Sequence, residues 1–70
     1  MKTMYVTMKM AREEAVETQA FKDLAYFDYD DEVETWTEGN DLYVKMPSRS
    51  KFHRDFIREG YEVVGCDLVD

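Results

Sequence analysis

The densest run of reactive side chains is residues 27–38, FDYDDEVETWTE. Asp28, Asp30, Asp31, Glu32, Glu34 and Glu38 supply six carboxylates with no base among them, and Phe27, Tyr29 and Trp36 are interspersed. Carboxylates this close together can hold a cation, share a proton, or present a negative surface. An EF-hand loop needs glycine at its sixth position and a bidentate acid at its twelfth. Counted from Asp28, those positions hold Val33 and Gly39, so the calcium motif fails and no metal is expected.

The other reactive candidates are Cys66 and His53, the only cysteine and the only histidine. A thiol beside an imidazole can act as nucleophile and base. The pattern around Cys66 gives another role: it alternates with Val64 and Leu68, which predicts a buried, inert thiol in a strand. His53 stands in a segment rich in Arg and Lys. No Ser-His-Asp order, glycine-rich phosphate loop or paired metal-ligand motif is present. The expectation is a protein without catalytic residues or cofactor.

Seventy residues allow one domain, residues 1–70. A chain so short buries only about 60 % of the surface it exposes when unfolded. One cysteine excludes an internal disulfide, so self-association is a plausible source of extra stability. The start, MKTMYVTMKM, lacks the unbroken apolar run of a signal peptide, and no stretch approaches the ~20 apolar residues of a membrane span. A cytoplasmic location is expected.

The net charge of −7 is unevenly spread. Residues 11–44 hold eleven acids against Arg12 and Lys22. Residues 45–58 reverse the sign, with Lys45, Arg49, Lys51, Arg54 and Arg58 against Asp55. The last twelve residues are acidic again through Glu59, Glu62, Asp67 and Asp70. Direct nucleic-acid binding needs a continuous basic surface, which this order does not provide.

Hydrophobic periodicity gives the elements that carry these groups. Met4, Val6, Met8 and Met10 alternate with Tyr5, Thr7 and Lys9, predicting a half-buried strand. Val16, Ala20, Leu24 and Phe27 form one helical stripe and predict a helix over 11–27. The run DYDDE reads as a loop. Val33, Thr35 and Thr37 then alternate with Glu34, Trp36 and Glu38, and Leu42, Val44 and Met46 with Tyr43 and Lys45. Gly39 and Asn40 between these strands predict a hairpin turn. A second helix is predicted after Ser48 or Ser50, with Phe52, Phe56 and Ile57 apolar and Gly60 as its stop. Residues 61–69 read as a last strand with Val64, Cys66 and Leu68 facing inward. The order β-α-β-β-α-β predicts an α+β, ferredoxin-like fold: a four-stranded antiparallel sheet with two helices on one face. Its core is expected to unite Val6, Leu24, Val44, Phe56 and Val64.

This layout turns Trp36 and Tyr43 away from the core and places them together across the hairpin. In size, acidity and lack of catalytic residues the chain resembles the small inhibitor proteins of bacteriophages, among them anti-CRISPR, anti-restriction and host RNA polymerase-blocking proteins. The resemblance is one of class, and no residue carries over from it. It implies a non-enzymatic inhibitor that docks an acidic-aromatic surface onto a basic, nucleic-acid-binding site of a partner protein. The residues expected to make that surface are Asp28, Tyr29, Asp30, Asp31, Glu32, Glu34, Trp36 and Tyr43. The alternative is a small structural or regulatory subunit that self-associates as a homodimer, with no nucleic-acid-related target. Neither reading involves a membrane.

Overall fold

The structure is a computed structural model that describes residues 2–27 and 32–69. Of the expected site, Asp28, Tyr29, Asp30 and Asp31 lie outside these residues, and the side chains of Tyr26 and Phe27 are not among those described.

Among the described residues four strands form one antiparallel sheet. They are β1 (Thr3–Ala11), β2 (Glu34–Glu38), β3 (Asp41–Pro47) and β4 (Glu62–Val69). Their order is β2-β3-β1-β4, so β1 and β3 are central while β2 and β4 are edges. Three helices interleave with them: a single turn, α1 (Arg12–Ala15), then α2 (Gln19–Phe27) and α3 (Lys51–Arg58). The fold is α+β.

Alternation sets which side of the sheet each residue joins. On β1, Val6 and Met8 face inward opposite Met46 and Val44 of β3, and all four are almost fully buried. Ala15, Ala20, Leu24, Phe52 and Phe56 from the helices complete one apolar cluster with them. Burying a side chain of this size stabilises the fold by about 1.5–3 kcal/mol, so this layer is the main source of stability. Phe56 is fully buried, and Tyr61 meets it edge-on with ring centres 4.6 Å apart.

The helix predicted over 11–27 is instead a strand end, one helical turn and a second helix. β1 continues to Ala11 opposite Asp41, and the Arg12 N–H bonds to the Asn40 carbonyl at 2.8 Å. The break follows from Thr18. Its hydroxyl donates to the Ala15 carbonyl at 2.7 Å, ending the first turn, as short hydroxyl side chains do when they compete with the helix ladder. The same oxygen accepts from the Phe21 N–H at 3.3 Å and helps to open α2. Glu59, just after α3, caps α2 from afar: its carboxylate accepts from the Gln19 N–H at 3.1 Å and from the Ala20 N–H. A carboxylate at this end also suits the helix dipole. Val16 consequently leaves the predicted stripe and is exposed.

The other helix matches its cap and stop signals, while Ile57, expected beside Phe52 and Phe56 on the apolar face, is exposed because it turns away from the sheet that buries those two. The Ser50 hydroxyl accepts from the Phe52 N–H at 3.2 Å, so Ser50 rather than Ser48 is the cap. Gly60 follows with φ +98°, the left-handed stop that glycine adopts without penalty.

The last strand departs furthest from expectation. Cys66 pairs with Val6 and Leu68 with Met4, so both have the inward parity that alternation predicts. Neither is covered: Cys66 is exposed and Leu68 is 60 % exposed. Val64 is not a core residue either, at 44 % exposed. A bulge opposite Thr7 and Met8 takes the register from Gly65 to Val63 and skips Val64. The inert, buried thiol expected at Cys66 is therefore corrected to an accessible one.

Candidate functional site

The hairpin of β2 and β3 builds the most distinctive surface. Its turn is Gly39-Asn40, with φ +63° at Gly39 and no positive φ at Asn40, the pattern of a type II′ turn. That short turn fixes the register, so Trp36 stands directly opposite Tyr43. Their rings stack with centres 5.4 Å apart and planes within 4°. Two aromatic side chains in this arrangement attract one another by about 0.5–1.5 kcal/mol beyond their burial.

Both rings lie on the face opposite the helices, and Trp36 remains 36 % exposed. Charges surround them. Glu38 faces Asp41 across the turn end of the hairpin. Asp41 is also 3.8 Å from the Lys9 ammonium on β1. On the other side of the stack, Glu34 faces Lys45. Lys45 in turn places its ammonium 5.8 Å from the centre of the Tyr5 ring. Glu32 and Arg49 form an ion pair at 2.9 Å, tying the acidic segment to the start of the basic one. A shallow groove of about 270 Å³ runs beside these groups, lined by Tyr5, Glu32, Glu34, Lys45 and Val69.

The structure therefore brings Glu34, Trp36 and Tyr43 of the expected site onto one face, with Glu32 at its margin. Two features were missed by the sequence reading. Lys9 sets positive charge beside Asp41, because β1 and β3 are neighbours only after folding, and Lys45, on the Tyr43 face by alternation, faces Glu34 across the hairpin. Tyr5 joins the aromatic face for the same reason; its alternation on β1 was the available signal.

The basic residues gather separately. Arg49, Lys51, Arg54 and Arg58, with Ser48, Ser50, His53 and Asp55, line an open depression of about 540 Å³ along α3. His53 and Cys66 stand on different elements, α3 and β4. Among the described residues no three His, Cys, Asp or Glu side chains group to hold a metal. No helix among them is long and apolar enough to cross a membrane.

Burial also marks Tyr61. The Tyr61 hydroxyl is pushed above its usual pKa of 10.0, first by burial and then by the nearby Glu59 charge, although its hydrogen bond with Thr18 opposes this. It lies 3.1 Å from Thr18 Oγ1 and donates to the Ala15 carbonyl at 3.3 Å. This links the helical break to the core rather than to any surface chemistry.

No protein-family model matches the chain, and no curated protein or solved structure is significantly similar to it.

Proposed function

We propose that this protein is a small non-enzymatic inhibitor that docks its acidic-aromatic sheet face onto a basic, nucleic-acid-binding site of a partner protein. The observation that carries this reading is the Trp36–Tyr43 stack, part-exposed on the face away from the helices, with Glu34, Glu38 and Asp41 around it. Flat rings interspersed with carboxylates offer a partner's arginines both stacking and charge, as bases and phosphates do. The net charge of −7 adds long-range attraction that speeds encounter with a basic groove. The element order, with strands in the order β4-β1-β3-β2, fits a ferredoxin-like arrangement, in which one sheet face stays open for contacts. A bacteriophage anti-defence or host-takeover protein is the class this describes, acting in the host cytoplasm.

The test is capture of the partner from bacterial lysate on immobilised protein, followed by titration of the purified partner at two salt concentrations. Wild-type binding should weaken steeply as salt rises, because exposed charges are screened. Trp36→Ala should weaken it by about 2 kcal/mol, as loss of a central aromatic anchor does. A titration that Trp36→Ala and salt both leave unchanged would remove this surface from consideration.

A further inference from the structure

We infer that β4 is a homodimerisation edge, at which two copies join antiparallel about a twofold axis through Cys66 and extend the two sheets into one. This inference does not rest on the acidic face, which is built on the β2–β3 hairpin, although Val69 of β4 also lines the groove beside that face.

The first ground is the open edge itself. β4 pairs with β1 on one side only, so half of its backbone N–H and C=O groups point outward without a strand partner. Natural edges are usually blunted by charged side chains (lysine above all), proline, a bulge or a short span. β4 has eight residues and neither lysine nor proline. Its bulge is confined to the Val63–Gly65 end, leaving Gly65–Val69 in regular register with β1.

The second ground is the apolar surface along that edge. Val63, Val64, Leu68 and Val69 are all between 44 % and 60 % exposed, and Met4 beside Leu68 is also exposed. Cys66 and Leu68 have core parity without core cover, which identifies a layer the chain's own helices leave unfinished.

The third ground selects a second copy as the occupant. An antiparallel twofold centred on Cys66 sets Gly65–Asp67 of each copy, the part clear of the bulge, against the other and brings Val64 toward Leu68, an apolar pair. Val63 and Val69 do not meet, since Val63 pairs with Met8 on the inward side and Val69 with Thr3 on the outer one. The twofold sets Asp67 against Gly65, which has no side chain to clash or repel. Moving the axis by one residue, to Asp67, would place that carboxylate against its own copy, a destabilising pair. The sequence of the edge is thus self-complementary in one register and self-repelling in the next. Opposed residues in antiparallel strands have Cα atoms about 4.5–5.5 Å apart. This falls within the spacing a disulfide spans, so Cys66 reports directly on the axis.

Sedimentation equilibrium across micromolar to millimolar protein, with Leu68→Glu and Thr35→Glu variants, tests the inference. Leu68 is already exposed, so Leu68→Glu should fold, and circular dichroism checks this; Val64→Glu is the substitute if it does not. The wild type should show a monomer–dimer equilibrium that tightens with salt, since each copy is acidic. Leu68→Glu should raise the dissociation constant at least tenfold, and Thr35→Glu on β2 should leave it unchanged. Diamide, which takes two electrons and two protons from a pair of thiols as the S–S bond forms, should link Cys66 to Cys66 in the wild type and much less in Leu68→Glu. A chain that stays monomeric at millimolar concentration would overturn the inference. So would a dimer broken by Thr35→Glu instead, or crosslinking undiminished in Leu68→Glu. Failure to find a basic partner leaves all of these outcomes untouched.

Discussion

β2 and β4 are the two edges of one sheet, yet they solve the edge problem in opposite ways. β2 is five residues long, begins and ends with glutamate, and presents only Thr35 and Thr37 on its inward side. Another strand approaching it would meet carboxylates and weakly apolar hydroxyls. β4 is eight residues long, and valine, leucine and cysteine dominate it. Its two acids, Glu62 and Asp67, sit on the outer side, opposite Lys9 and Tyr5 of β1. The contrast teaches that one small sheet can hold a charged edge and an exposed apolar edge at once. It also assigns opposite salt dependences to them: contacts made by β2 should weaken with salt, and contacts made by β4 should strengthen.

The largest effect should come from removing the layer both edges rest on. Phe56→Ala should cost about 3–5 kcal/mol in thermal or denaturant unfolding, because the ring is fully buried and its loss leaves a cavity beside Tyr61. In dilute solution Leu68→Ala should change stability by less than about 0.5 kcal/mol, as surface substitutions usually do. Similar losses for the two would erase the distinction between covered and uncovered inward positions.

Next is the remote cap. Glu59→Ala should destabilise by about 0.5–2 kcal/mol, measured by denaturant titration, because the Gln19 and Ala20 N–H groups lose their acceptor. The hairpin is farther down the scale. Trp36→Ala should lower the stability of the free protein by no more than about 1.5 kcal/mol, the loss of a stacked pair. If it unfolds the chain, the stack is structural rather than a surface for contacts.

The smallest effects concern single titrating or reactive groups. Tyr61 has a raised pKa when folded, so the folded state keeps its proton more tightly than the unfolded chain. Its contribution should be fully present below the ordinary value of 10.0 and fade as pH rises from there through the folded value. Tyr61→Phe should flatten that alkaline loss in melts taken across the range. Cys66 should react readily with a thiol reagent in dilute native protein; slower reaction at high concentration is the outcome the proposed β4 pairing expects. Resistance in dilute protein would restore a buried thiol.

Much of this molecule is legible in its residues. The alternation in MYVTMKM and DLYVKMP, the Gly39-Asn40 turn, the Ser50 cap and the Gly60 stop each announce an element through local geometry. The pairing of Trp36 with Tyr43 follows from a two-residue turn, which leaves one register. The helix over 11–27 was misread because its apolar stripe is real at Ala20 and Leu24, while the break depends on Thr18 and Glu59. Nothing near Gln19 in the chain announces a carboxylate arriving from forty residues away.

The sequence by itself determined the α+β character, the hairpin, the uneven charge and the parity of nearly every strand residue, because these depend on neighbours within a few positions. Tertiary structure alone decided which inward-facing residues are covered. Val44 and Cys66 share an alternating context, but Val44 lies on the central strand β3 under the helices, and Cys66 lies on the edge strand β4 beyond them. Tertiary structure also decided that Lys9 of β1 tempers the acidic face at Asp41. Parity is a local property of a pleated strand, whereas burial requires a second layer overhead, and where that layer ends is set by how the whole chain packs.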